Sequence, residues 1–129
     1  MATLTEMELF LVLLVCFQIK HFLCDFPLQR EFMVTAKSRR DWSFFVPLLM
    51  HASIHAIFSL MIILVIKPQL LWLALVDLFV HFSMDRIKSG PRYLGRFNQH
   101  NTAAYWNCFG FDQMVHHFTH YFIIWSLIA

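Results

Sequence analysis

Charge is scarce in this chain: 14% of its 129 residues are Asp, Glu, Lys or Arg, where an ordinary soluble domain carries about 25%. The net charge of +2 is too small to argue for nucleic acid, and no basic helix interleaved with aromatics is present. Cysteine is scarce too. Cys16, Cys24 and Cys108 are an odd number in apolar or interfacial surroundings, which excludes a disulfide framework and leaves them as reduced packing residues. Glycine occurs only three times. The N-terminus has no basic n-region and no small-residue cleavage site, so the first apolar run is expected to stay as a membrane anchor. No repeat, low-complexity tract or second domain is visible, and residues 1–129 read as a single transmembrane domain.

What is abundant is apolar surface, 59% hydrophobic and 17% aromatic. A body this small cannot bury it all, since even a 150-residue domain leaves roughly a third of its chain surface exposed. The remainder needs lipid as its solvent. A bilayer core takes about 20 predominantly apolar helical residues, and four segments qualify: approximately residues 7–24, 47–66, 69–87 and 105–128. The expected fold class is an all-α membrane protein, a four-transmembrane-helix bundle. Lys67-Pro68 makes spans two and three antiparallel neighbours. The two longer connections carry nearly all the Lys and Arg, among them Arg30, Lys37, Arg39, Arg40, Lys88, Arg92 and Arg96. The positive-inside rule puts both connections in the cytoplasm and both termini on the non-cytoplasmic side. Trp42 and Trp106 then fall at the inner boundary, with Trp72 and Trp125 near the outer one.

The polar residues inside these spans are not scattered. His21 and Asp25 end the first; His51 and His55 open the second; Asp77, His81 and Asp85 run down the third; Asp112, His116 and His120 occupy the first half of the fourth. Because alternate spans run in opposite directions, all four sets share one depth in the cytoplasmic half. Each set repeats at four residues, so each helix presents one polar stripe. Ionisable groups inside spans cost about 2.5–3.5 kcal/mol each on insertion scales. Ten of them must face one another, water or an ion.

An ion accounts for the set most simply. Neutral imidazoles and carboxylates one turn apart are ligand chemistry for Zn, Mn, Fe and Ni, and four-helix cores hold two-metal sites built from inward carboxylates and histidines. The candidate ligands are His21, Asp25, His51, His55, His81, Asp85, Asp112 and His116, for one or two divalent ions, Zn first and then Mn or Fe. Asp25 or Asp77 is the candidate general base. Lys88, one turn below Asp85 and with Arg92 behind it, is the candidate holder of a phosphate or oxyanion, although Lys88 and Arg86 also anchor helices at the inner boundary. His120 either supports a ligand or packs. Gln29 and Gln113 either orient ligands or cap helices. His117 points about 100° off the stripe toward a neighbouring helix, and His100 lies in a polar loop.

The run His21-Phe22-Leu23-Cys24-Asp25-Phe26-Pro27-Leu28-Gln29 resembles the H-x-x-x-D-F-x-x-Q opening of a family of small membrane proteins, domain of unknown function 3307, chiefly from bacteria and phages. The likeness continues through His51 and His55, His81-x-x-x-Asp85-x-x-Lys88 and Asp112-Gln113-x-x-His116. It implies a membrane location, in a bacterium the inner membrane, and no specific activity. A looser likeness is to small membrane-bound metal-dependent hydrolases with H-x-x-x-D pairs at span ends.

Three functions fit these expectations. The first is a metal-dependent hydrolase acting on a lipid, lipid-linked phosphate or membrane peptide at the cytoplasmic leaflet. The second is a di-iron hydroxylase or desaturase of acyl chains. His51-x-x-x-His55 and His116-His117-x-x-His120 are similar to the histidine boxes of such enzymes, although the second runs in the reverse order of the usual H-x-x-H-H. The third is a non-enzymatic protein stapled by metal, serving as an ion or proton path or as a partner of another membrane protein. The bilayer is the expected partner throughout, with homo-oligomers open and nucleic acid excluded.

Overall fold

Thr5 and Glu8 set the start of the first helix: Thr5 Oγ1 accepts from the Glu8 backbone N–H, and the Glu8 carboxylate accepts from the Thr5 N–H in return. In a computed structural model, which describes residues 4–129, this helix, α1, runs Glu6–Asp25. The order continues with a single-turn helix α2 (Glu31–Ala36), then α3 (Phe45–Ile66), α4 (Leu73–Ser89) and α5 (Ala103–Ile128). Helix makes up 79% of the described residues, and no strand occurs among them. Asp41 opens the turn into α3 by accepting from the Ser43 backbone N–H and hydroxyl, bonds that hold its exposed carboxyl below the ordinary value. Pro47 sits in the first turn of α3, where a missing N–H costs nothing. Thr102 caps α5.

The four long helices coincide with the four expected spans to within a few residues. The largest difference is at the third, expected from residue 69 and observed from Leu73. Pro68, Gln69 and Leu70 instead wind into a 3₁₀ turn, which begins at the residue that cannot donate a backbone hydrogen bond. The helices close a ring in which α1 packs on α3 and α5, and α4 packs on α3 and α5. Two of them, α1 and the α3 segment Trp42–Ile66, are long and apolar enough to cross a membrane. The polar residues of the stripes lower the mean hydropathy of α4 and α5, and α4 is also short at 17 residues.

The packing is layered along the bundle. At the end holding the chain termini and the α3–α4 turn, Leu13, Phe17, Ile63, Leu73, Ala74, Ile123, Ile124 and Leu127 form the buried apolar core. At the other end, where the long connections lie, the interior is polar: His51, His55, His81, Asp85, Asp112 and His116 are all buried. Large apolar side chains face outward instead, including Val65 at 82% and Phe79 at 73% exposure. The three cysteines are free, with Cys24 buried.

Gly95 marks the tightest point of the α4–α5 connection. A Cβ there would lie 2.3 Å from the Ser89 carbonyl oxygen, a backbone atom that cannot rotate away. Gly110, within α5, has open space around its Cβ position. Gly95→Ala should therefore destabilise by about 1–3 kcal/mol. Gly110→Ala should stabilise by about 0.5–1 kcal/mol through helix propensity. Paired thermal unfolding curves of the two variants should shift in opposite directions.

Candidate metal centre

The i,i+4 stripes do meet. Asp25 sits at the last residue of α1 and reaches across to α3, its Oδ1 lying 3.1 Å from His55 Nε2 and 3.3 Å from His51 Nε2. Its Oδ2 is 3.1 Å from His21 Nε2, one turn back on the same helix. His81 of α4 brings its Nε2 to 3.3 Å from His51 Nε2. Ligand atoms of Asp25, His51, His55 and His81 all lie within 4.8 Å of one another. An ion with bonds of about 2.0–2.1 Å to nitrogen sits inside a tetrahedron whose edges are about 3.3 Å. Three of the six edges of this group already have that length.

A second donor group adjoins the first. Ligand atoms of His81, Asp85 and His116 lie within the same mutual distance, with His116 Nε2 at 3.4 Å from Asp85 Oδ1 and 3.2 Å from Asp112 Oδ1. His51 Nε2 links the groups, 3.4 Å from Asp85 Oδ2. The imidazoles of His55, His81 and His116 form a stack with His81 in the middle, at centroid distances of 3.6 and 4.1 Å. This stacking explains why His81 belongs to both groups. It also fixes ring orientation where the usual support from behind is missing, since the Nδ1 atoms of His21, His51, His55 and His81 have no hydrogen-bond partner.

The donor set fits a divalent cation. With neutral imidazoles, the three carboxylates of Asp25, Asp85 and Asp112 outnumber the two ammonium groups beside them. Lys37 Nζ lies 2.5 Å from Asp85 Oδ2, and Lys88 Nζ 3.4 Å from Asp112 Oδ2. Asp85 Oδ2 nevertheless makes no well-directed hydrogen bond. A buried carboxylate oxygen in that state is a natural ligand atom. His21 completes the wall: its Nε2 is 2.9 Å from Gln113 Oε1, and Gln113 Nε2 donates to Asp112 at 3.0 Å. Gln29 donates to the Asp25 carbonyl and accepts from Lys37. Both glutamines thus orient site residues.

A cleft of about 210 Å³ opens on this centre, lined by Asp25, Asp85, Asp112, Lys37, Lys88 and Gln113 among others. A neighbouring cleft of about 310 Å³ shares Val34, Lys88, Ser89 and Phe109 with it. Lys88 extends over the Phe109 ring between the two. Arg92, expected behind Lys88, lies elsewhere. It lines a separate surface groove with Arg40 and Arg86.

Asp77 also stands apart. Its Oδ2 accepts from Lys20 Nζ at 2.5 Å and from Ser59 Oγ at 2.5 Å, and Lys20 Nζ lies 3.2 Å from His120 Nε2. Asp77 does not line the cleft, and its carboxylate is committed to a buried lysine. Neither Lys20 nor Lys37 was expected at a site. A lysine near a span end reads as an anchor at the boundary, and the only available signal was that Lys20 stands one residue before the His21–Asp25 stripe. His117 meets Gln18 of α1, 3.2 Å away, and His100 is exposed beside Tyr105.

The residues of both donor groups lie within a match to one protein-family model, which spans residues 11–129 and is described as protein of unknown function (DUF3307). The chain belongs to this family. Neither the curated proteins nor the solved structures yield a match. The expected resemblance thus holds over nearly the whole chain.

The Lys20–Asp77 pair has a clear signature. Lys20→Met leaves Asp77 buried without its counter-charge and should cost about 3–5 kcal/mol. The double variant Lys20→Met/Asp77→Leu removes both charges and should recover more than half of that loss. Denaturation curves of the single and double variants, measured side by side, check this.

Proposed function

We propose that this protein is a four-span membrane metalloprotein that hydrolyses a phosphate-bearing or otherwise anionic substrate at the cytoplasmic face. The observation that carries the reading is the cleft: its lining sets Asp25, Asp85 and Asp112, the carboxylates that border the buried imidazoles, beside the outward-facing Lys88. The membrane part rests on the inverted distribution of polarity. Twelve polar or charged side chains are buried against fourteen apolar ones, while Phe, Leu, Ile and Val dominate the outer faces. Trp42 and Trp106 mark one end of the bundle and Trp72 and Trp125 the other, as interfacial belts do. With the basic connections inside, both termini lie on the non-cytoplasmic side, and the locale is a bacterial inner membrane.

In this reading His51, His55 and His81 would hold one divalent ion, zinc by preference, with Asp25 beside them and a place left for water, and His116, Asp85 and Asp112 are positioned for a second. Such an ion would supply Lewis acidity and lower the pKa of a water it binds to about 7. The chain's own groups do the rest. Asp25, 15% exposed at its side chain, faces the cleft and is the general base that accepts a proton from water. With only the first ion bound, the Asp112–His116 pair is free to return a proton to the leaving group. Lys88 binds the anionic part of the substrate and Lys37 holds Asp85 in place. Asp77 takes no part in proton transfer.

Zinc titration of the purified protein should give one or two tightly bound ions. His81→Ala, which removes the ring common to both donor groups, should lose bound metal and turnover together. Zinc retained in that variant would overturn the assignment. Lys88→Gln should keep the metal and lose about 10-fold or more in turnover on phosphate esters, which separates substrate binding from folding. Ligating imidazoles must be neutral, and their ordinary pKa is about 6.5. Bound metal, and the stability it confers, should therefore be present at neutral pH and lost as pH falls below about 6. Elemental analysis after dialysis at stepped pH measures this.

A further inference from the structure

Sharing no lining residue with the cleft, Arg40, Arg86 and Arg92 line one surface groove of about 260 Å³ together with Asp41, Trp42 and Tyr93. Three guanidinium groups against one carboxylate leave a net positive charge. Asp41 is already engaged by Ser43. Arg86 is held rigidly: it donates to the Lys37 and Arg39 carbonyls at 2.8 and 3.0 Å, and its guanidinium stacks on the Phe44 ring with the centroid 3.6 Å away. Arg40 and Arg92 are exposed, and neither is ion-paired among the described residues.

The groove continues into an apolar column. Arg86, Phe82, Phe79 and Leu75 follow one another at steps of four, three and four residues, so they share one face of α4. Phe79 is 73% and Leu75 66% exposed. A planar, forked cation is thus fixed at the head of an outward apolar strip about 16 Å long, at 1.5 Å rise per residue. Phosphate matches the arginine fork, and an acyl chain matches the strip.

We infer that this groove is a binding site for an anionic phospholipid, its phosphate headgroup on Arg40, Arg86 and Arg92 and one acyl chain along Phe82, Phe79 and Leu75. The inference rests on the reading of the bundle as membrane-spanning. It goes beyond simple anchoring by basic residues, which attracts any anionic surface without selecting an individual lipid. Basic pockets at the cytoplasmic ends of spans bind such headgroups by the same chemistry. The site is separate from the hydrolytic cleft, so bound lipid is a resident component and not the substrate.

The test offers full-length protein in mild detergent an equimolar mixture of phosphatidylglycerol and phosphatidylcholine with identical chains, and reads retained lipid by mass spectrometry. Wild type should retain phosphatidylglycerol selectively. Arg40→Gln/Arg92→Gln, which breaks no intramolecular ion pair, should reduce that preference roughly tenfold while leaving helix content and zinc binding unchanged. Phe79→Asn should weaken retention of both lipids without changing the preference. Equal retention of the two lipids by wild type, an undiminished preference in the double arginine variant, or displacement of the lipid by millimolar inorganic phosphate would each overturn the site. Alkaline washing of membranes separates the two levels of the argument. Release of the protein defeats the membrane reading itself, whereas a membrane-retained protein with no lipid preference defeats only the lipid site.

Discussion

Two carboxylates tie the four long helices together. Asp25, at the end of α1, is contacted by His51 and His55 of α3; Asp85, near the end of α4, is contacted by His51 of α3 and His116 of α5. Every other feature of the site follows from this. A carboxylate removed from water must be given hydrogen-bond donors or a cation, and most of the groups within reach belong to other helices. The helices therefore cannot slide or rotate independently without stranding a charge. In a bundle whose outer surface is apolar, where the hydrophobic effect offers little reason for one helix to prefer another, such polar contacts set register and orientation. The same constraint gathers the imidazoles at distances suited to a divalent ion.

The positions of the stripes were legible because a helix repeats nearly every four residues and spans alternate in direction. From His51-x-x-x-His55 and Asp112-x-x-x-His116 alone, both the shared face and the shared depth follow. The cations that complete the site were not legible. Lys37 folds inward because α2 turns the connection back toward the bundle, and no pattern in residues 26–44 marks that turn. Lys20 is hidden for a different reason: it is next to His21 in sequence, so its stripe is rotated by about 100° and serves a different neighbour, Asp77. Ser59 completes that second cluster with a hydroxyl that nothing distinguishes from an ordinary helix serine. Spacing identified which residues on one helix act together; it did not identify which partner on another helix they meet.

These two clusters differ in a way that bears on function. The Lys20–Asp77–Ser59–His120 group is closed: each charge has its counter-charge, Lys20, Asp77 and His120 are each no more than 2% exposed, and none of the four lines the cleft. Buried pairs of this kind contribute little net stability but penalise alternative packings strongly. The Asp25–His51–His55–His81 group, by contrast, meets the cleft through Asp25. A charge-paired network next to one that borders a cleft is the arrangement expected when the first positions helices for the second.

The same layering argues against a path across the bundle. A conducted ion or proton would leave the imidazole cluster through the Lys20 layer and then meet Leu13, Phe17, Ile63, Leu73, Ile123, Ile124 and Leu127, packed without a polar atom among their side chains. A fixed ammonium in front of an apolar plug repels a cation electrostatically and then offers it no ligands. The polar interior therefore has a single mouth, at the end where Lys37 and Lys88 stand. Such an interior is reached from one end of the bundle, the end at which the two donor groups lie.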